Sequence, residues 1–122
     1  MKISIIGANG MLSVALTKYY NVKKGVTVDV YGLDVPKGYE CDNFYQVNLL
    51  KDKLDYDKLV ASDVIVYASG AGVQAALQTD SSLMYALNVN APIEMTLQLK
   101  KYNYKGIYVS LGSYMEIGLN EI

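Results

Sequence analysis

The first 13 residues constrain the fold most, because a short apolar run is followed at once by closely spaced glycines. Lys2–Ile6 is rich in β-branched residues and predicts a strand that is buried on both faces. The turn Gly7–Ala8–Asn9–Gly10 follows, and apolar residues then recur at helical spacing over Met11–Tyr20. The chain is therefore predicted to open with a strand, a glycine turn and a helix.

The glycines of this turn have distinct physical roles. Gly7 suits a tight strand-to-helix turn because it has no Cβ, and Gly10 lets the backbone approach a ligand closely. The helix start adds free amides and the positive end of a dipole, which attract phosphate. The third position of Gly7-x-x-Gly10-x-x-Ser13 ordinarily takes glycine or alanine, and here it is serine. The pattern favours a dinucleotide diphosphate; the alternative is a purely structural turn.

An acidic residue stands where a dinucleotide site needs one. Val26–Leu33 predicts a second strand, and Asp34 follows it, 21 residues beyond Ser13. A carboxylate there accepts hydrogen bonds from ribose hydroxyls and repels a 2′-phosphate, so it favours NAD over NADP. The alternative is that Asp34 is a solvated surface charge.

Strands and helices alternate along the rest of the chain. Further strands are predicted at Phe44–Val47, Ser62–Ala68 and Tyr104–Leu111. Further helices are predicted at Lys51–Leu59, from Thr79 to Leu87, and from Asn90 as the N-cap through Lys100. Such alternation implies right-handed crossovers and a parallel sheet with helices on both faces.

Composition excludes several classes of function. A net charge of −1 argues against nucleic acid or an anionic membrane as a partner, since both call for a dense basic surface. With no histidine and the single cysteine Cys41, a zinc site or a histidine-based nucleophilic triad is not expected. The amino-terminal apolar run is too short for a membrane span and is interrupted where a signal peptide would be cleaved. A cytoplasmic location is therefore expected.

With these motifs placed, the chain resembles the extended short-chain dehydrogenases/reductases, the NAD-dependent epimerase/dehydratase family that modifies nucleotide sugars. The segment ISIIGANGMLSVAL is similar to the family's GxxGxxG turn, with Ser13 in place of the last glycine. VIVYASGAG resembles the fourth strand and the loop under the cofactor, and YALNVNAPIEMTLQLKK the following helix. YVSLGSYMEIG is similar to the fifth strand and its hydroxyl-bearing loop.

This resemblance implies an α/β fold, a Rossmann-like doubly wound parallel sheet of about five strands in the order 3-2-1-4-5. Residues 1–122 would be the N-terminal part of an NAD(P)-binding domain, truncated before the substrate domain. Asn48 stands where the family often has an aspartate that faces the adenine. The residues expected to bind the cofactor are Gly7, Asn9, Gly10, Met11, Leu12, Asp34, Asn48, Ala68, Ser69 and Gly70.

The resemblance also assigns a catalytic residue. Ser113 would be the active-site hydroxyl, with Ser110 as the alternative if the loop is registered differently. The family's later Tyr-x-x-x-Lys pair is missing, and the strings Tyr19…Lys23 and Tyr20…Lys24 lie on the first helix, remote from the expected nicotinamide position.

Three functions therefore stay open. The first is the NAD-binding part of an oxidoreductase that acts as a nucleotide-sugar epimerase, dehydratase or reductase and is inactive alone. The second is a non-catalytic NAD(P) sensor, and the third is an interaction module whose turn stays empty. Self-association is expected in addition, because the predicted fifth strand would form an unpaired apolar edge.

Overall fold

One parallel sheet of five strands organises the protein. The computed structural model describes residues 1–69 and 89–110. The strands lie in the spatial order β3-β2-β1-β4-β5, so the predicted fold class and strand order are confirmed. Their bounds are β1 Lys2–Ile6, β2 Thr27–Gly32, β3 Asn43–Gln46, β4 Val64–Tyr67 and β5 Ile107–Ser110.

Helices cover both faces of this sheet. The described helices are α1 (Met11–Asn21), α2 (Tyr56–Leu59) and α3 (Ala91–Lys101). From the central strand β1, the chain adds β2 and then β3 on one side of the sheet, and β4 and then β5 on the other side. Because parallel crossovers are right-handed, α1 and α3 lie on opposite faces. The helix predicted from Thr79 to Leu87 lies outside the described residues.

The two sides of β1 belong to separate apolar clusters, as expected for a central parallel strand. Ile3 and Ile5 face the α1 side, and Ile6 faces the side of α2 and α3. On the α1 side they are joined by Ala8, Val28, Val30 and Val66. On the other side the buried residues are Ile6, Tyr31, Val47, Leu59, Ile65, Tyr67, Met95 and Leu99.

A buried carboxylate links three strands at the end of the sheet opposite the glycine turn. Asp29 of β2 is fully buried, and its Oδ2 lies 3.2 Å from the Nζ of Lys2 on β1. Its Oδ1 accepts a hydrogen bond of 2.8 Å from the Nδ2 of Asn43 on β3. Loss of Lys2 would leave a buried negative charge without its counter-ion, which is strongly destabilising.

β5 forms one edge of the sheet. Ile107 and Val109 are paired in register with Val64 and Val66 of β4, so they point to the α1 side of the sheet. They are 61% and 37% exposed, because no described helix covers β5 on that side. No helix within residues 1–69 and 89–110 is long and apolar enough to cross a membrane.

Two elements are shorter than predicted because side chains fix where they begin. Asp55 accepts a hydrogen bond of 3.1 Å from the backbone nitrogen of Lys58, so α2 begins at Tyr56 instead of Lys51. The hydroxyl of Tyr104 donates to the carbonyl of Ser62 at 2.7 Å, which holds the chain before β5 against the start of β4. The strand predicted from Tyr104 therefore begins at Ile107.

The buried tyrosines make stability sensitive to alkaline pH. Burial, followed by the nearby Glu94, raises the pKa of Tyr56 to about 12. Between about pH 10 and 12 the unfolded chain loses this proton while the folded chain keeps it, so the stability falls as pH rises. In urea unfolding, Tyr56→Phe should match the wild type at about pH 8 and fall less steeply with pH above about 10. Parallel pH profiles of the two proteins would contradict this assignment.

Candidate functional site

A cleft of about 390 Å³ opens at the carboxyl ends of β1, β2, β3 and β4. The strand order reverses between β1 and β4, and this crevice is where open α/β sheets bind their ligands. The residues that line the cleft are Gly7, Ala8, Asn9, Gly10, Gly32, Leu33, Asp34, Val47, Asn48, Leu49, Leu50, Ala68 and Ser69.

The glycine turn packs tightly between its two neighbouring strands. Gly7 has a φ of +118°, and its nitrogen donates a hydrogen bond of 2.6 Å to the carbonyl of Tyr31. A Cβ on Gly7 would lie only 3.0 Å from the nitrogen of Ser69. A Cβ on Gly32 would lie 2.6 Å from the Cβ of Ala8. Neither position accepts a side chain, so the bottom of the cleft is closed by backbone.

Gly10 differs, because nothing in the described chain requires a glycine there. It is the exposed N-cap of α1 with a φ of −73°, and a Cβ on it would meet no atom closer than 3.8 Å. The first helical bond of α1 runs from Val14 to Gly10. Within the described chain the amides of Met11, Leu12 and Ser13 have no acceptor. The bare backbone of Gly10 therefore meets the free N–H groups of Met11 and Leu12 at one point, while Ser13 is fully buried behind them.

The side chains of Met11 and Leu12 do not line the cleft. They are 84% and 53% exposed, on the outer surface of the first turn of α1. Any part they take in binding must therefore come from their backbone amides.

Asn9 bonds to the protein and positions a neighbouring loop. Its Nδ2 donates to the carbonyls of Asp34 and Val35 at 3.4 and 3.1 Å. Its Oδ1 accepts from the backbone nitrogen of Lys37 at 3.0 Å. Because these contacts span the loop after β2, Asn9 fixes the glycine turn relative to Asp34. The structure thus indicates that the Asn9 side chain positions the loop instead of offering free polar groups to a ligand.

Asp34 and Asn48 present polar groups to the cleft from two adjacent strand ends. The exposed carboxylate of Asp34 has no hydrogen bond or ion pair with any described residue, and it is the one charged group among the described lining residues. The Oδ1 of Asn48 is used within its own turn, where it accepts from the nitrogen of Leu50 at 3.0 Å. The carboxylate of Asp34 is therefore available for a hydroxylated ligand.

Some of the remaining predicted residues line the cleft, and others lie outside the described residues. Ala68 and Ser69 line the cleft after β4, and the nitrogen of Ala68 donates to the carbonyl of Ile6 at 2.9 Å. Gly70 and Ser113 lie outside the described residues. Ser110, the alternative to Ser113, ends β5 and does not line this cleft.

A second side-chain contact that holds the glycine turn was not predicted from the sequence. The hydroxyl of Tyr39 donates to the carbonyl of Ala8, and burial raises the pKa of Tyr39, so the phenol keeps its proton. Leu49 and Leu50 were also missed, although two leucines directly after a strand end and a polar turn are a signal for an apolar cleft wall. Tyr39 has no comparable signal, since its contact spans 31 residues.

Solved structures similar to this chain share its fold. A protein of Bacillus halodurans assigned as an NAD-dependent epimerase/dehydratase aligns with a TM-score of 0.75 and 19% identity over 100% of this chain and 56% of its own. A short-chain dehydrogenase family protein of Francisella tularensis gives 0.68 and 18%, over 92% and 50%. A UDP-glucose 4-epimerase gives 0.61 and 17%, over 88% and 35%.

No protein-family model and no curated protein matches the chain in sequence. At under 20% identity these likenesses show the fold alone: a Rossmann-like sheet of the kind found in epimerase/dehydratase and short-chain dehydrogenase structures. The chain spans about half the length of the first two of these structures.

Asn9→Ala should loosen the loop after β2 without unfolding the sheet. We expect the backbone amide of Lys37 to exchange its hydrogen at least about tenfold faster, because its acceptor is lost. The amide of Val47, which donates to Gly32 at 2.8 Å, is the internal control and should be unchanged. Unchanged exchange at Lys37 would show that Asn9 does not hold this loop in solution.

Proposed function

We propose that this chain is an NAD-binding domain whose diphosphate site is the turn from Gly7 to Gly10 and the start of α1. The proposal rests chiefly on Gly10. This glycine is exposed, its φ is one that any residue adopts, and there is open space where a Cβ would lie. A residue that neither strain nor packing requires to be glycine is explained by a ligand that must approach its backbone. The Rossmann-like fold and the cleft at its carboxyl edge support the same conclusion.

The residues present fit the parts of the dinucleotide. The free amides after Gly10 and the positive end of the α1 dipole suit the two phosphates. The unpaired carboxylate of Asp34 suits the adenosine ribose, and Asn48 with the neighbouring leucines suits the adenine. Ala68, Ser69 and Gly70 would pass beneath the cofactor. When bound, the nicotinamide would supply hydride transfer.

We infer that the activity belongs to a longer oxidoreductase, since the similar structures extend well past the matched region. The resemblance to the epimerase/dehydratase family makes a nucleotide sugar the proposed substrate and Ser113 the proposed active-site hydroxyl. Ser113 would orient a substrate oxygen, and this chain would not turn over alone. A structure with bound NAD in which Ser113 lies remote from the nicotinamide would remove that assignment.

Gly10→Val tests the diphosphate site. The extended backbone of Gly10 accepts valine, so the variant should fold, with the modest loss of stability that a valine N-cap brings. Its side chain would occupy the place of the phosphates, and we expect calorimetry to show at least about a hundredfold weaker NAD binding. Leu97→Val, at an exposed position of α3 that does not line the cleft, is the control and should bind normally. Equal NAD affinity in wild type and Gly10→Val would remove the dinucleotide proposal.

Asp34→Asn tests the choice of cofactor. The wild type should bind NAD more tightly than NADP, because a carboxylate repels the 2′-phosphate. In the variant we expect the affinity for NAD to fall by about tenfold, while the affinity for NADP stays the same or rises. Asp57→Asn changes the net charge equally at an exposed position of α2 and should leave both affinities unchanged. A variant that keeps the wild-type ratio of the two affinities would contradict the role of Asp34.

A further inference from the structure

Ser13 presents a buried hydroxyl without a partner beside the proposed diphosphate site. The residue is 0% exposed, and its Oγ has no hydrogen-bond partner among residues 1–69 and 89–110. A buried hydroxyl that makes no hydrogen bond costs free energy, so its presence calls for an explanation. Ser13 is also the position of the turn that ordinarily takes glycine or alanine, neither of which carries a polar atom.

The two threonine hydroxyls of the described helices are satisfied in one common way. Thr17 donates to the carbonyl of Ser13 at 2.7 Å, and Thr96 donates to the carbonyl of Pro92 at 2.9 Å. Both bonds reach back four residues along a helix, which is the usual solution for such side chains. For Ser13 that carbonyl belongs to Asn9, which lies in the turn outside the helix. The hydroxyl is thereby left free.

The free hydroxyl lies beneath Gly10. The place of a Cβ on Gly10 is 3.8 Å from the Oγ of Ser13 and 4.0 Å from the carbonyl oxygen of Ala68. Gly10 itself is exposed and lines the cleft, and it adds no side chain between the buried hydroxyl and a ligand at this point. A hydroxyl without a fixed acceptor can turn its O–H dipole toward an anion.

We propose that the hydroxyl of Ser13 is a further hydrogen-bond donor for the diphosphate, reached through the space beside Gly10. This inference rests on the proposed function and adds a side-chain donor to the backbone amides of the turn. The Ser13 hydroxyl would contact the phosphates alone, because Asp34 and Asn48 would hold the adenosine from the other side of the cleft.

The test compares variants of two helical hydroxyls for their binding of three ligands. Ser13→Ala should bind ADP and NAD about tenfold more weakly than the wild type while adenosine binds equally, because adenosine lacks the phosphates. Its melting temperature should be equal or higher, since an unpaired buried hydroxyl is removed. Thr17→Val, one turn further along, should lower the melting temperature and leave all three affinities unchanged.

Each remaining outcome rejects the inference in a distinct way. If Ser13→Ala binds ADP as tightly as the wild type, the hydroxyl takes no part in binding. If it loses ADP and adenosine to the same extent, the effect is a general distortion of the cleft. If the wild type binds neither NAD nor ADP, the proposed function itself has failed.

Discussion

The close packing of backbone against backbone at the carboxyl edge of the sheet determines the arrangement of the site. The turn after β1 lies between the ends of β2 and β4, with Gly7 bonded to Tyr31 and touching Ser69. Gly32 approaches Ala8 so closely that no side chain would fit between them. Because both glycines lack a Cβ, the start of α1 can sit directly over the crevice where the strand order reverses. A side chain at either position would move the amides of α1 away from that crevice.

Around this contact the polar groups have separate tasks. Asn9 and Tyr39 both bond the glycine turn to the loop that follows Asp34. The carboxylate of Asp34 makes no hydrogen bond or ion pair with the described residues. At the other end of the sheet Asp29 and Lys2 form an ion pair that is closed to ligands. The Asp29–Lys2 ion pair thus supports the fold, while the carboxylate of Asp34 remains available at the cleft.

Much of this was predictable, because periodicity and turn chemistry are local. The strands at the centre of the sheet, the first helix and the convergence of Gly10, Asp34 and Asn48 all follow from positions relative to strand ends. Asn90 is the N-cap of α3, as predicted, but its backbone is already helical and its side chain makes no capping bond. It was also not predicted that the Ser13 hydroxyl would lack a hydrogen-bond partner among the described residues, since this depends on whether the carbonyl of Asn9 can accept its proton. Distances across the fold decide such features, and no sequence pattern records them.

The position of β1 has a consequence for how the chain acquires its structure. Of the five described strands, the central strand β1 is synthesised first, and it pairs with Thr27 of β2 and with Val64 of β4. Its second neighbour becomes available only after some 60 further residues have been added, and closing so long a loop costs entropy before any contact repays it. Until then one edge of an apolar strand has no permanent partner. Assembly of the sheet is consequently slow compared with helix formation. During that interval the strands of the nascent chain can pair incorrectly.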